Sequence, residues 1–151
     1  MIIGVISDTH VTTIDEIPFK IRNALAGVDL IVHAGDFTQK AVLDGLRSIK
    51  DVKAVAGNMD SGELKRILPE KELFTAGGRK IGLIHGSGGP WGIAERIREM
   101  FSDVDLIIYG HSHQSWNQSI RGTLMFNPGR GKDSFGLVYI DDEIEGEILA
   151  V

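Results

Sequence analysis

The chain contains no cysteine. Disulfide bonds and thiolate metal sites are both excluded, so any metal ion must be held by nitrogen and oxygen ligands. Nor is there an apolar run near the roughly 20 residues that span a bilayer, so no membrane partner is expected. The opening Met1-Ile2-Ile3-Gly4-Val5-Ile6-Ser7-Asp8 has no basic residue ahead of its short apolar run. It reads as a buried strand, not a secretory leader, and the expected location is cytoplasmic. Positive charge is also scarce. Sixteen Lys and Arg face 21 Asp and Glu, a formal net charge of −5, whereas a protein that grips long nucleic acid usually presents a basic face. No internal repeat, linker or low-complexity tract interrupts the 151 residues, a length that suits one domain over 1–151 with its own core.

The first half alternates strand and helix signals. Ile2 to Ile6 is a predicted strand. A helix is expected from about Glu16 to Ala26, with Ile17, Ile21, Ala24 and Leu25 near helical spacing and Gly27 ending it. Leu30-Ile31-Val32 reads as a second strand, Lys40 to Ile49 as a second helix and Val52 to Ala56 as a third strand. This order implies right-handed crossovers and a parallel sheet covered on both faces.

Farther on, Glu72–Ala76 and Lys80–Ile84 flank Gly77-Gly78, a hairpin signal. A helix over about Ile93 to Phe101 and a strand over Asp105 to Tyr109 follow. Two further strand pairs are Trp116–Ile120 with Thr123–Phe126 and Gly136–Ile140 with Ile144–Val151. The mixture predicts an α/β fold, a four-layer α/β/β/α sandwich of two mixed sheets flanked by helices.

The informative polar residues stand where the predicted strands end. Asp8-Thr9-His10 follows the first strand, Gly35-Asp36 the second and Gly57-Asn58-Met59-Asp60 the third. His85-Gly86 ends the hairpin's second arm, and Gly110-His111-Ser112-His113 ends the next strand. Ligands in open α/β sheets bind beyond the carboxyl ends of strands, so these loops should converge. In extended backbone, residues two apart point the same way, which would aim Asp8 with His10, and His111 with His113, into one pocket. Asp-x-His alone is a weak signal, and Gly-Asp is usually a turn. The joint pattern is specific, because four of the five histidines fall in these strand-end motifs. The fifth, His33, is expected to be a buried structural histidine.

This ordered series resembles the calcineurin-like metallophosphoesterase superfamily. The short length, His33-Ala34-Gly35-Asp36 and Asn127-Pro128-Gly129 are similar to its small prokaryotic phosphodiesterase branch. The resemblance implies two divalent transition-metal ions, drawn from Mn²⁺, Ni²⁺, Fe²⁺, Co²⁺ and Zn²⁺. Asp8, His10, Asp36 and His113 would hold one ion; Asp36, Asn58, His85 and His111 would hold the other, with Asp36 bridging. Asp36, Asn58 and His111 would also bear on catalysis. The implied activity is hydrolysis of a small phosphodiester or organic phosphate by metal-activated water, with homo-oligomers known among relatives. Two ions bring +4 and the two aspartates −2, so the centre stays positive towards a phosphate.

The chain departs from the family in two places. Many relatives carry a histidine after the motif asparagine, to protonate the leaving group, where this chain has Met59. Many also carry His-Gly-His at the central motif, which here is His85-Gly86-Ser87. General acid catalysis is typically worth roughly 10²–10⁴-fold, so its absence favours good leaving groups. Asp60 is a candidate acceptor for a ligand histidine, and Arg130 for substrate contact. The glycine-rich stretch Gly86 to Gly92 is a candidate phosphate cradle through its N–H groups. Two alternatives remain: a non-catalytic scaffold of the same fold, like the small subunit of the retromer coat, and a nuclease, which the acidic balance disfavours.

Overall fold

The computed structural model describes residues 1–151. Ten strands and four α-helices follow one another as β1 (Ile2–Ile6), α1 (Phe19–Ala26), β2 (Leu30–His33), α2 (Lys40–Ile49), β3 (Val52–Ala54), α3 (Gly62–Ile67), β4 (Lys71–Ala76), β5 (Arg79–Ile84), α4 (Ile93–Arg98), β6 (Leu106–Ile108), β7 (Trp116–Ile120), β8 (Thr123–Asn127), β9 (Ser134–Ile140) and β10 (Ile144–Ala150). They build two five-stranded mixed sheets, in the orders β10-β9-β1-β2-β3 and β4-β5-β6-β8-β7. Within the first, β1, β2 and β3 run parallel. In the second, β5, β6 and β8 do so.

Strand alternation explains the layers. Ile3 and Val5 of β1 join Val32, Leu83, Leu106, Ile108 and Phe126 in a core between the sheets. Ile6, pointing oppositely, meets Leu25 of α1 and Val42, Leu43 and Leu46 of α2. Each of these leucines, fully buried, contributes roughly 1.5–3 kcal/mol over an exposed one. On the outer face of the second sheet, Ile107 and Met125 pack against Ile93, Ala94 and Ile97 of α4. The expected four-layer sandwich is therefore present.

Three helices differ from expectation, α4 only in stopping at Arg98, short of the expected Phe101. The segment ahead of α1 forms a short 3₁₀ turn at Ile14–Glu16, and the α-helix begins only at Phe19. Pro18 is the reason: it disfavours helical backbone at the residue before it, and Ile17 is extended (ψ 131°). Helix α3 was not anticipated. Its signals are short but present, with Ser61 capping the Leu64 N–H, Glu63 in the first turn and Lys65 and Arg66 in the last.

Because β1–β3 run parallel in one sheet and β5 and β6 in the other, the loops after all five gather at one end of the sandwich. Backbone bonds lash them together: Asp8 N–H to the Gly35 carbonyl (2.9 Å), His10 N–H to the Asp36 carbonyl (3.2 Å) and Gly110 N–H to the His85 carbonyl (3.1 Å).

Candidate metal centre

Asp8 lies at the floor, fully buried. Its Oδ2 accepts from the Ser7 hydroxyl at 2.5 Å and the His111 N–H at 3.2 Å. Its Oδ1 is buried with no hydrogen-bond partner. Around that orphan oxygen stand the Nε2 atoms of His113 at 3.3 Å, His85 at 3.8 Å and His10 at 4.0 Å. Leaving a buried carboxylate oxygen unpaired is costly, and a cation at this spot would remove the cost.

Asp36 faces the same space. Its Oδ1 accepts the Met59 N–H at 2.8 Å, and its Oδ2 lies 3.4 Å from His10 Nε2 and 3.3 Å from His85 Nε2. Burial, the largest influence, would raise its pKa. The hydrogen bond and charge of His85, the Met59 N–H and His10 outweigh it and hold the carboxyl well below the usual range. For His85, burial favours the neutral ring, yet the bond to Asp36 and the charges of Asp8 and Asp36 raise its pKa. Both shifts say that this pocket calls for positive charge.

The tautomers suit a metal. His85 Nδ1 sits 2.7 Å from the Ala34 carbonyl, which can only accept, so Nδ1 carries the proton. The neutral ring then turns the lone pair of Nε2 towards Asn58 Oδ1 at 3.1 Å and Asp36 Oδ2 at 3.3 Å. A lone pair against two oxygens is repulsive unless a proton or a cation lies between. Two ligand groups fall within 4.8 Å of mutual reach, Asp8-His10-His113 and Asp8-Asp36-His85. The donor set fits divalent transition metals.

His111 stands slightly apart. Its Nε2 donates to the Gly88 carbonyl at 3.0 Å, which leaves Nδ1 as the nitrogen with the lone pair. Its ring is edge-on to His85, centroids 5.3 Å apart.

The route by which these side chains converge differs from extended alternation. Asp8, His10, Asp36, His111 and His113 all have positive φ, between 49° and 69°. Such left-handed backbone costs about 1–2 kcal/mol per residue outside glycine and collects at functional sites. The turns, rather than a pleat, aim the pairs.

Asp60 also differs from expectation. It reaches no histidine: its carboxylate accepts the N–H groups of Asp36 (3.0 Å), Gly57 (2.7 Å) and Thr38 (2.8 Å). It thereby fastens the loop after β2 to the loop after β3. Asp60→Ala strands three backbone donors, at about 1–3 kcal/mol each. The expected result is a loss of roughly 3 kcal/mol or more, read as a fall in melting temperature of about 10 °C.

His33 is structural. Its Nδ1 accepts the Gly35 N–H, its Nε2 meets Thr9 Oγ1, and its ring stacks on Phe37. Burial pushes its pKa down to about 3. Arg130 pairs with Asp133 and, with Lys132, lines a hollow of about 280 Å³ that includes Asp8 and His10. In the glycine-rich loop Arg96 gathers the carbonyls of Ser87, Gly89 and Trp91, which fixes the loop's course.

Asn127 stood within a sequence motif without a role, and Arg96 was missed in the sequence. Asn127 Nδ2 holds the Gly110 carbonyl and Ser112 Oγ, each at 3.1 Å. Arg96 lies on α4 and carried no motif, whereas the buried polar Asn127, beside Pro128-Gly129, offered a signal.

A four-layer α/β/β/α sandwich with Asp and His side chains gathered at its strand ends defines a metallophosphoesterase-type protein. The chain belongs to that group: residues 1–138 match the calcineurin-like phosphoesterase superfamily domain. A relative named "probable metallophosphoesterase" from Methanocaldococcus jannaschii is 35% identical, with the alignment covering all of this chain and 82% of the relative. Wild-type Vps29 of Entamoeba histolytica, solved in complex with Zn²⁺, superposes with a TM-score of 0.77 at 27% identity over 99% of each chain. An archaeal phosphodiesterase shares the fold, with a TM-score of 0.78 at 23% identity over 99% of this chain and 100% of that one.

Proposed function

We propose that this chain is a dinuclear metal-dependent phosphodiesterase acting on small phosphodiesters. The observation that carries the reading is Asp36 Oδ2, one oxygen within 3.4 Å of His10 Nε2 and 3.3 Å of His85 Nε2. Asp8, His10, Asp36 and His113 would hold one ion, and Asp36, Asn58, His85 and His111 the other. Mn²⁺, Ni²⁺, Fe²⁺, Co²⁺ and Zn²⁺ all suit these donors, and the Zn²⁺ complex of the Entamoeba relative supports metal binding, under either reading of turnover. When bound, two such ions polarise phosphoryl oxygens, lower the pKa of water and stabilise in-line displacement.

The chain's own residues prepare that chemistry. Ser7, the His111 N–H and the Met59 N–H fix the two carboxylates, and the Ala34 and Gly88 carbonyls fix the tautomers of His85 and His111. Such orienting partners tune ligands as the ligands tune metals. Asn58 would offer a neutral amide oxygen, so only two carboxylates would offset the metal charge. Arg130 and Lys132, beside Asp8 and His10, would face the anionic substrate.

A second reading, a metal-binding scaffold without turnover, is favoured by Met59 and Ser87 standing where proton donors stand in many relatives. One assay separates the two. Metal-stripped protein is given bis-p-nitrophenyl phosphate before and after Mn²⁺, Ni²⁺, Co²⁺ or Zn²⁺. Restored hydrolysis is expected. Two ions bound per chain with no turnover under any metal would overturn the enzyme in favour of the scaffold.

A further inference from the structure

Hydrolysis of a phosphodiester forms a bond from water oxygen to phosphorus and breaks the bond from phosphorus to the leaving oxygen. The electron pair of the broken bond departs on that oxygen, and the proton lost by water balances it in the alcohol and monoester products. Until a proton arrives, negative charge builds on the leaving oxygen. Met59 cannot offset it, and Ser87 can offer only a neutral hydroxyl rather than a positive charge.

Beside Asn58 and His85 the molecule opens a cavity of about 440 Å³, lined also by Ser87 and Lys65. Lys65 lies on α3, where its own N–H is held by the Ser61 carbonyl at 3.0 Å. Its ammonium donates to the Asn58 carbonyl oxygen at 3.1 Å. The ion pairs made by lysine and arginine are Lys40–Asp44, Lys53–Glu72, Arg121–Glu99 and Arg130–Asp133. Lys65 is in none of them. Glu70 lines the same cavity but forms no ion pair with Lys65. In an acidic protein, an unpaired cation beside a candidate ligand loop faces whatever enters that cavity.

We infer that this cavity is the leaving-group subsite and that Lys65 is the cation that stabilises the leaving oxygen as it departs. The inference rests on the phosphodiesterase reading. A fixed charge at a developing oxyanion acts on the transition state more than on the bound ester. Its effect grows as the leaving group worsens.

The test uses metal-loaded full-length protein and methyl aryl phosphates, from p-nitrophenol to unsubstituted phenol as leaving group. Lys65→Ala is expected to lower kcat by less than about 3-fold for p-nitrophenol and by roughly 10–10²-fold for phenol. KM should change little, and two ions should still bind. Lys65→Arg, which keeps the charge, restores most of the loss, whereas Lys65→Met does not. A loss uniform across the series, or no loss, overturns the role of Lys65 while leaving the phosphodiesterase standing. Wild-type protein inert on every ester overturns both.

Discussion

Replacing Asp36 with alanine is expected to reduce metal-restored phosphodiester hydrolysis by roughly 10³-fold or more, the largest effect of any single substitution here. Asp36 Oδ2 lies between His10 and His85, and Asp36 belongs to both proposed ligand sets. Alanine removes that oxygen and also the acceptor of the Met59 N–H. Both ion sites should weaken, so calorimetric titration with Mn²⁺ or Zn²⁺ should no longer show two ions at wild-type affinity. Stability should respond in a telling way. A ligand that binds only the folded state raises the melting temperature, and wild-type protein should show that rise. Asp36→Ala should not. Without metal the variant should melt below the wild type, because the folded chain holds the Asp36 carboxyl ionised through His85 and the Met59 N–H, and alanine removes both interactions. A variant that still hydrolyses the diester within 10-fold of wild type would sink the bridging role.

Gly110→Ala is expected to damage the centre without removing a ligand. A methyl group at position 110 would lie 2.1 Å from Ser7 Oγ and 2.7 Å from Asp8 Oδ2. Ser7 and Asp8 are themselves bonded at 2.5 Å, so neither can yield alone. Turning the Asp8 carboxylate would carry Oδ1 away from His10 and His113. A misplacement near 1 Å is worth about 10²-fold in rate, and overpacking costs about 1–3 kcal/mol. Activity and affinity for the ion held by Asp8 should both fall. Gly78→Ala, at the hairpin tip with open space around it, is the control and should leave metal binding intact. Unchanged metal affinity in Gly110→Ala would show that the close packing against Asp8 does not set its direction.

Much of the fold was readable because it rests on local patterns. Lys40 to Ile49 carries helical spacing on one side and folds as α2 with those bounds. Gly77-Gly78 turns between β4 and β5 as the hairpin pattern required, both at positive φ. The lapses have local causes too. Pro18 shortened α1, and six-residue α3 offered too few turns for a periodic signal.

The candidate site was readable in its chemistry and not in its geometry. Without cysteine, with Asp, Asn and His at five strand ends, the chain by itself excluded thiolate ligands and determined the family it belongs to. Which atom of each residue faces the centre was decided by tertiary structure. The proton on His85 Nδ1 depends on the Ala34 carbonyl, 51 residues away, and the direction of Asp8 depends on the His111 N–H, 103 residues away. Lys65 meets the Asn58 carbonyl only because α3 folds back over its own loop. Periodicity reports which face of an element is buried. It carries nothing about the left-handed turns and long-range hydrogen bonds that orient a loop side chain, because those are set by partners that only the folded chain brings near.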